Sequence, residues 1–212
     1  MWTKIKICGC KRAEDIQLVN KFRPDYVGFV FANSSRRVSY ELAKELKALL
    51  SIEIQAVGVF VNESLGQIID LCNQGIIDVI QLHGNESSEY MNALKREVPQ
   101  PIIKAIPVVS KEQIQNSEEL PCDFLLLDTY QKASFGGSGI TFDWSLIPNL
   151  SKPYFLAGGI HPGNVKKAVL QCKPYCIDLS SGVEIDGYKS GDRMRELMNE
   201  WYKVNKSNKA IN

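Results

Sequence analysis

A cysteine at position 8 and an aspartate at position 128 each close an apolar run, in "KIKICG" and "FLLLD". Such a cysteine has three readings: half of a redox or metal pair with Cys10, a small buried filler, or a lone thiolate aimed at a substrate. Redox pairs use a C-x-x-C spacing and zinc sites need further Cys or His partners. Here the spacing is C-G-C, and the chain's 2 histidines are His83 and His161. A thiolate is a base as well as a nucleophile, and nearby cations or amide donors lower a thiol's pKa. Asp128 follows apolar residues whose low dielectric favours the protonated carboxyl a general acid needs; its plainer roles are a helix cap or a partner for a lysine. Cys8 and Asp128 form a candidate acid/base pair.

Two glycine turns suggest where an anion binds. In "LAGGIHPGNV" the amides around Gly158 and Gly159 are unhindered by side chains and lead toward a helix, and "DLSSGVE" repeats the design at Ser181 and Gly182. Either turn alone could simply be a tight connection; adjacent repetition favours phosphate. Arg36, in "NSSRRVS", can grip a carboxylate with two parallel hydrogen bonds, with Arg37 as its competitor. His83, in "QLHG", reads equally as a ligand contact or as a structural histidine.

These residues have to be carried to one place. Eight short β-rich segments recur along the chain, among them "KIKIC", "YVGFVF", "DVIQLH", "DFLLLD" and "YCIDLS". Between most of them lie stretches of helical periodicity such as "SYELAKELKALL" and "NESLGQIIDLCNQG", each opening on a Ser or Asn able to cap. Alternation of this kind implies a parallel sheet with right-handed crossovers. Eight units predict an α/β fold, a closed (β/α)8 TIM barrel in a single compact domain over residues 1–205, followed by a polar tail over 206–212. An open doubly wound sheet is the alternative, but no G-x-G-x-x-G follows the first strand and no P-loop occurs. In a barrel the strands' C-terminal ends gather on one face, where Cys8, Arg36, His83, Asp128 and both glycine turns would meet. The sixth unit has a long glycine-bearing loop, "YQKASFGGSGITF", before a doubtful helix near Asp143.

Composition narrows the partners. With 25 basic and 24 acidic residues the net charge is +1, too even for a field that would attract nucleic acid or a membrane. No apolar run approaches the ~20 residues that cross a bilayer. The expectation is a cytoplasmic protein, monomer or homodimer, with six reduced cysteines and a small-molecule partner.

In order and at fitting spacing, "KICG", "SSRRVS", "QLHG", "LLLD", "GGSGITFDW", "LAGGI" and "DLSSGVE" resemble the phosphoribosylanthranilate isomerase family of tryptophan biosynthesis. The resemblance implies a barrel that performs an Amadori rearrangement of a phosphorylated substrate without cofactor or metal. It implies Cys8 as general base, Asp128 as general acid and Arg36 on the anthranilate carboxylate. Phosphate would be held by Gly158, Gly159, Ser181 and Gly182 with Gly137, Ser138 and Gly139. Departures are local: Cys10 and Lys11 after the first motif, His161 after "LAGGI", and Ser190 where the family usually has Asp. Related phosphate-binding barrels rely on strand-end lysines, glutamates or metal-binding histidines, and a catalytically dead barrel that only binds a ligand is the rival from another class.

Overall fold

In the first strand, β1 (Lys4–Cys8), Ile5 and Ile7 alternate with Lys4, Lys6 and Cys8. Period-two alternation sends the isoleucines to one face and the other three residues to the opposite one. The computed structural model, which describes residues 2–129 and 141–209, resolves what the two faces meet. β1 is followed by β2 (Tyr26–Val30), β3 (Gln55–Phe60), β4 (Val79–Leu82), β5 (Ile102–Val108), β6 (Phe124–Thr129), β7 (Tyr154–Leu156) and β8 (Cys176–Leu179). They pair in sequence order, all parallel, and β8 returns to β1 with Ile5 opposite Ile177 and Ile7 opposite Leu179, closing the barrel.

The outward faces pack beneath α1 (Ala13–Phe22), α2 (Tyr40–Leu49), α3 (Leu65–Asn73), α4 (Ser88–Glu97), α5 (Lys111–Asn116), α6 (Val165–Cys172) and α7 (Gly191–Lys209). Ile5, Ile7, Leu125, Leu127, Ile177 and Leu179 join this outer core. A second core fills the barrel itself, built from Tyr26, Val57, Val79, Ile103, Leu126 and Phe155. Ser39, Ser64 and Ser87 cap α2, α3 and α4 by accepting the amides of Leu42, Gln67 and Tyr90.

Three segments differ from expectation. The doubtful helix near Asp143 is one 3-10 turn, Trp144–Leu146, with the Asp143 side chain accepting the Ser145 amide. Beyond β8 and a 3-10 turn at Ser181–Val183, the chain folds into a small antiparallel ribbon, β9 (Glu184–Ile185) and β10 (Tyr188–Lys189), before α7. α7 continues to Lys209, so the segment expected as a tail from 206 opens as helix. Among the described residues no helix is long and apolar enough to cross a membrane. All six cysteines are free thiols.

Candidate active site

Strand parity decides which side chains enter the barrel mouth. Cys8 continues the inward series of Lys4 and Lys6, His83 that of Val79 and Gln81, Asp128 that of Phe124 and Leu126, and Ser180 that of Cys176 and Asp178. Cys8, Arg36, His83, Asp128, Gly158 and Gly182 all line one cavity of about 410 Å³.

Cys8 is 9% exposed. Burial pushes its thiol up; Lys6 pulls it back in part, Asp178 adds to the rise, and Lys189 again lowers it. Desolvation thus outweighs both lysines, and the thiol sits above its ordinary value. Burial lifts the neighbouring Cys10 to about 12, so at neutral pH it stays a thiol. Asp128 has one carboxylate oxygen on its own following amide, Thr129 N, at 2.7 Å, and the other 3.4 Å from His83 Nε2. His83 Nδ1 lies 2.9 Å from the Gln81 amide nitrogen. The ring is therefore held by Gln81 on its Nδ1 side and turns Nε2 toward Asp128. His83 is thus an orienting partner of the carboxylate as well as a cavity wall.

Arg36 reaches the site from the loop after β2. Its Nε donates to Glu184 Oε1 at 2.9 Å and its Nη2 to Glu184 Oε2 at 2.7 Å. Arg37 does not line the cavity. Gly9 makes room for this arm: its φ is +81°, and a Cβ there would stand 2.4 Å from Arg36 Cδ. A cysteine followed by glycine is thereby explained, since any larger residue would expel the arginine stem from beside the thiol.

The turns after β7 and β8 meet closely. Their hydrogen bonds run through His161, Asn164 and Val183, leaving the amides of Gly159, Ile160, Ser181 and Gly182, among the described residues, without a protein acceptor. Free amides on two neighbouring turns of this kind suit a phosphate. The remaining expected phosphate residues, Gly137, Ser138 and Gly139, lie outside the described residues.

Four residues at this end of the barrel escaped the sequence reading: Lys6, Asp178, Glu184 and Lys189. Lys6 Nζ donates to Asp178 Oδ2 at 2.9 Å beneath Cys8, and Asp178 Oδ1 is buried with no partner among the described residues. The alternation in "KIKIC" signals that Lys6 shares the thiol's face. "EIDGYK" carries the Asp-Gly pair of a tight hairpin, which sets Glu184 directly opposite Lys189.

Known proteins match this chain and its architecture. The family model described as N-(5'phosphoribosyl)anthranilate (PRA) isomerase matches residues 5–200. The N-(5'-phosphoribosyl)anthranilate isomerase of Endomicrobium trichonymphae is 46% identical over 195 residues, spanning 92% of this chain and 96% of the relative. The crystal structure of phosphoribosyl anthranilate isomerase from Thermus thermophilus superposes with a TM-score of 0.84 at 32% identity, covering 95% of this chain and 100% of that one. Another, of a phosphoribosyl anthranilate isomerase in complex with reduced 1-(o-carboxyphenylamino)-1-deoxyribulose 5-phosphate, gives 0.80 at 30% identity over 95% and 99% of the two chains. With a match that runs through all eight barrel strands and both sides of the cavity, the chain belongs to the N-(5'-phosphoribosyl)anthranilate isomerase family.

Proposed function

We propose that Cys8 is the general base and Asp128 the general acid of the isomerisation of N-(5'-phosphoribosyl)anthranilate, the family's step in tryptophan biosynthesis. Asp128 protonates the furanose ring oxygen; the C1′–O bond breaks with its electron pair on oxygen, and the nitrogen lone pair forms an iminium. Cys8 removes the C2′ proton, now acidic beside the iminium, and that C–H pair becomes the C1′=C2′ bond as electrons return to nitrogen. The enolamine gains a proton at C1′ and loses the hydroxyl proton at C2′, giving 1-(2-carboxyphenylamino)-1-deoxyribulose 5-phosphate. Each positioned proton transfer contributes roughly 10²–10⁴-fold.

The observation that carries this reading is that strands β1 and β6 deliver Cys8 and Asp128 to one cavity. The phosphate fits the unpaired amides of Gly159, Ile160, Ser181 and Gly182 beside Gly158, with Gly137, Ser138 and Gly139 joining it on the family resemblance. Arg36 takes the anthranilate carboxylate and His83 steadies Asp128. The reading needs no cofactor, treats residues 1–205 as one catalytic domain, and fits a cytoplasmic enzyme whose partner is its phosphorylated substrate.

The test is loss of substrate fluorescence when phosphoribosylanthranilate is generated in situ, with EDTA present. Wild type should consume it rapidly; Cys8→Ala and Asp128→Asn should each lower kcat by roughly 10²-fold or more while KM changes little. An unchanged rate in either variant moves that role to another group.

A further inference from the structure

The residue that should bind the substrate's carboxylate already holds a carboxylate. Glu184 takes the Nε and Nη2 hydrogens of Arg36 side-on, at 2.9 and 2.7 Å, and is itself nearly buried, its side chain 6% exposed against 22% for the arginine. A guanidinium offers five N–H donors in a rigid fork, and among the described residues the end that carries Nη1 has no hydrogen-bond partner. Behind Glu184 stands Lys189, its side chain 1% exposed, which donates to Glu184 Oε1 at 2.7 Å, to the Ser180 carbonyl at 3.1 Å and to the Cys8 carbonyl at 2.5 Å. An ammonium has three hydrogens, and all are used.

Glu184 and Lys189 do not line the cavity, whereas Arg36, Cys8 and Ser180 do. The two are therefore not placed to touch substrate. Two cations and one anion leave the group with an excess positive charge next to the cavity, so Glu184 can hold the arginine without cancelling its attraction for an anionic ligand. The ribbon that presents them is fastened in turn. Arg12 stacks over the Tyr188 ring at 4.0 Å and Lys11 lies 4.9 Å from its centroid, while Lys11 Nζ donates to the carbonyl of Ser35, the residue before Arg36. Gly9 constrains the arginine's stem, Glu184 its head.

Resting on the carboxylate-clamp reading of Arg36, we infer that Glu184 and Lys189 are positioning residues that hold Arg36 side-on so that its free end meets the substrate carboxylate. The cost of ordering a long side chain is then met on folding and not on binding, which is how preorganisation raises affinity. The opposite possibility is a stand-in that the substrate must displace, and the two predict changes of opposite sign.

The experiment compares dissociation constants, by calorimetry, for two ligands that differ only in the ortho carboxylate: reduced 1-(2-carboxyphenylamino)-1-deoxyribulose 5-phosphate and its anilino counterpart. The ratio isolates the carboxylate's contribution. Arg36→Met should bring it near unity. Glu184→Gln should lower it about tenfold, equivalent to about 1.4 kcal/mol, and Glu184→Asp by less, with inorganic phosphate affinity unchanged in both as the sign of an intact barrel. In the Arg36→Met background, Glu184→Gln should lower the ratio no further. A ratio unchanged in both Glu184 variants, or raised, overturns the inference. A ratio unchanged in Arg36→Met overturns instead the reading on which it rests.

Discussion

Lys6 Nζ lies 2.9 Å from Asp178 Oδ2 inside the barrel, the lysine wholly buried and the aspartate 8% exposed. Burial, the largest influence, would drive a lysine neutral; the charges and hydrogen bonds of Asp178 and Cys8 together outweigh it, and the Lys6 pKa ends above its ordinary value. The ammonium therefore persists under the cavity floor, where it is the largest influence holding the Cys8 thiol down against desolvation.

Lys6→Met should accordingly do two things. Leaving Asp178 buried without its cation should cost roughly 3–5 kcal/mol of stability, read as a lower urea midpoint at unchanged slope. It should also raise the thiol pKa, because the cation that favoured the thiolate is gone. Iodoacetamide labelling of Cys8, followed by mass spectrometry across pH, should move to higher pH. An unmoved labelling profile would separate Lys6 from the thiol.

The pH dependence of kcat/KM should show the same chemistry in the wild type. The base is active as thiolate, the charged form that burial disfavours, so the rising limb should extend above the ordinary thiol pKa of ~8.5. A limb that levels off below that value would assign it to a different group.

Gly28 lies beside Cys8 on the neighbouring strand, and a Cβ there would stand 2.6 Å from Cys8 Sγ. Gly28→Ala should push the thiol off its position, lowering kcat about 10²-fold with a smaller change in KM and costing ~1–3 kcal/mol from overpacking. Steady-state kinetics and a thermal melt measure both.

Burial pushes the Glu184 carboxyl up, but the hydrogen bonds of Arg36 and the charge of Lys189 more than reverse it, down to about 2. A depressed acid stabilises the fold fully above its unfolded pKa of ~4.3, and the contribution, of order 3 kcal/mol, fades as pH falls from there through about 2. The stability gap between wild type and Glu184→Gln, measured by urea unfolding, should therefore be widest near pH 6 and shrink between pH ~4 and ~2. A gap independent of pH would mean that the carboxylate's charge is not what stabilises the ribbon.

Much of this molecule was legible before any coordinates. Apolar runs located the strands to within a residue or two, and Ser39 marked the start of α2, whereas the stretch that opens on Asn62 is capped two residues on, at Ser64. The strand ends named Cys8, His83, Asp128 and the glycine turns, since parallel closure forces them onto one face. Two things were not legible. Arg36 finds Glu184 across 148 residues of chain, a pairing no local pattern encodes. The direction of the Cys8 pKa shift depends on desolvation by the surrounding barrel, which outweighs the favourable charges that local chemistry suggests.

Closure of β1 onto β8 also orders events during synthesis. The strand that carries Cys8 leaves the ribosome ahead of the other seven, yet one of its edges stays unpaired until Cys176–Leu179 follows, and Lys189 reaches the Cys8 carbonyl across 181 residues. Domains fold as units once enough chain has emerged, and exposed strand edges invite mispairing in the interval. A nascent chain halted before the eighth strand would hold an open parallel sheet with its thiol on a bare edge. Cys8 is made well before the strand and lysine that set it in place, so truncation that removes β8 or Lys189 should abolish activity even where most of the barrel's strands are present.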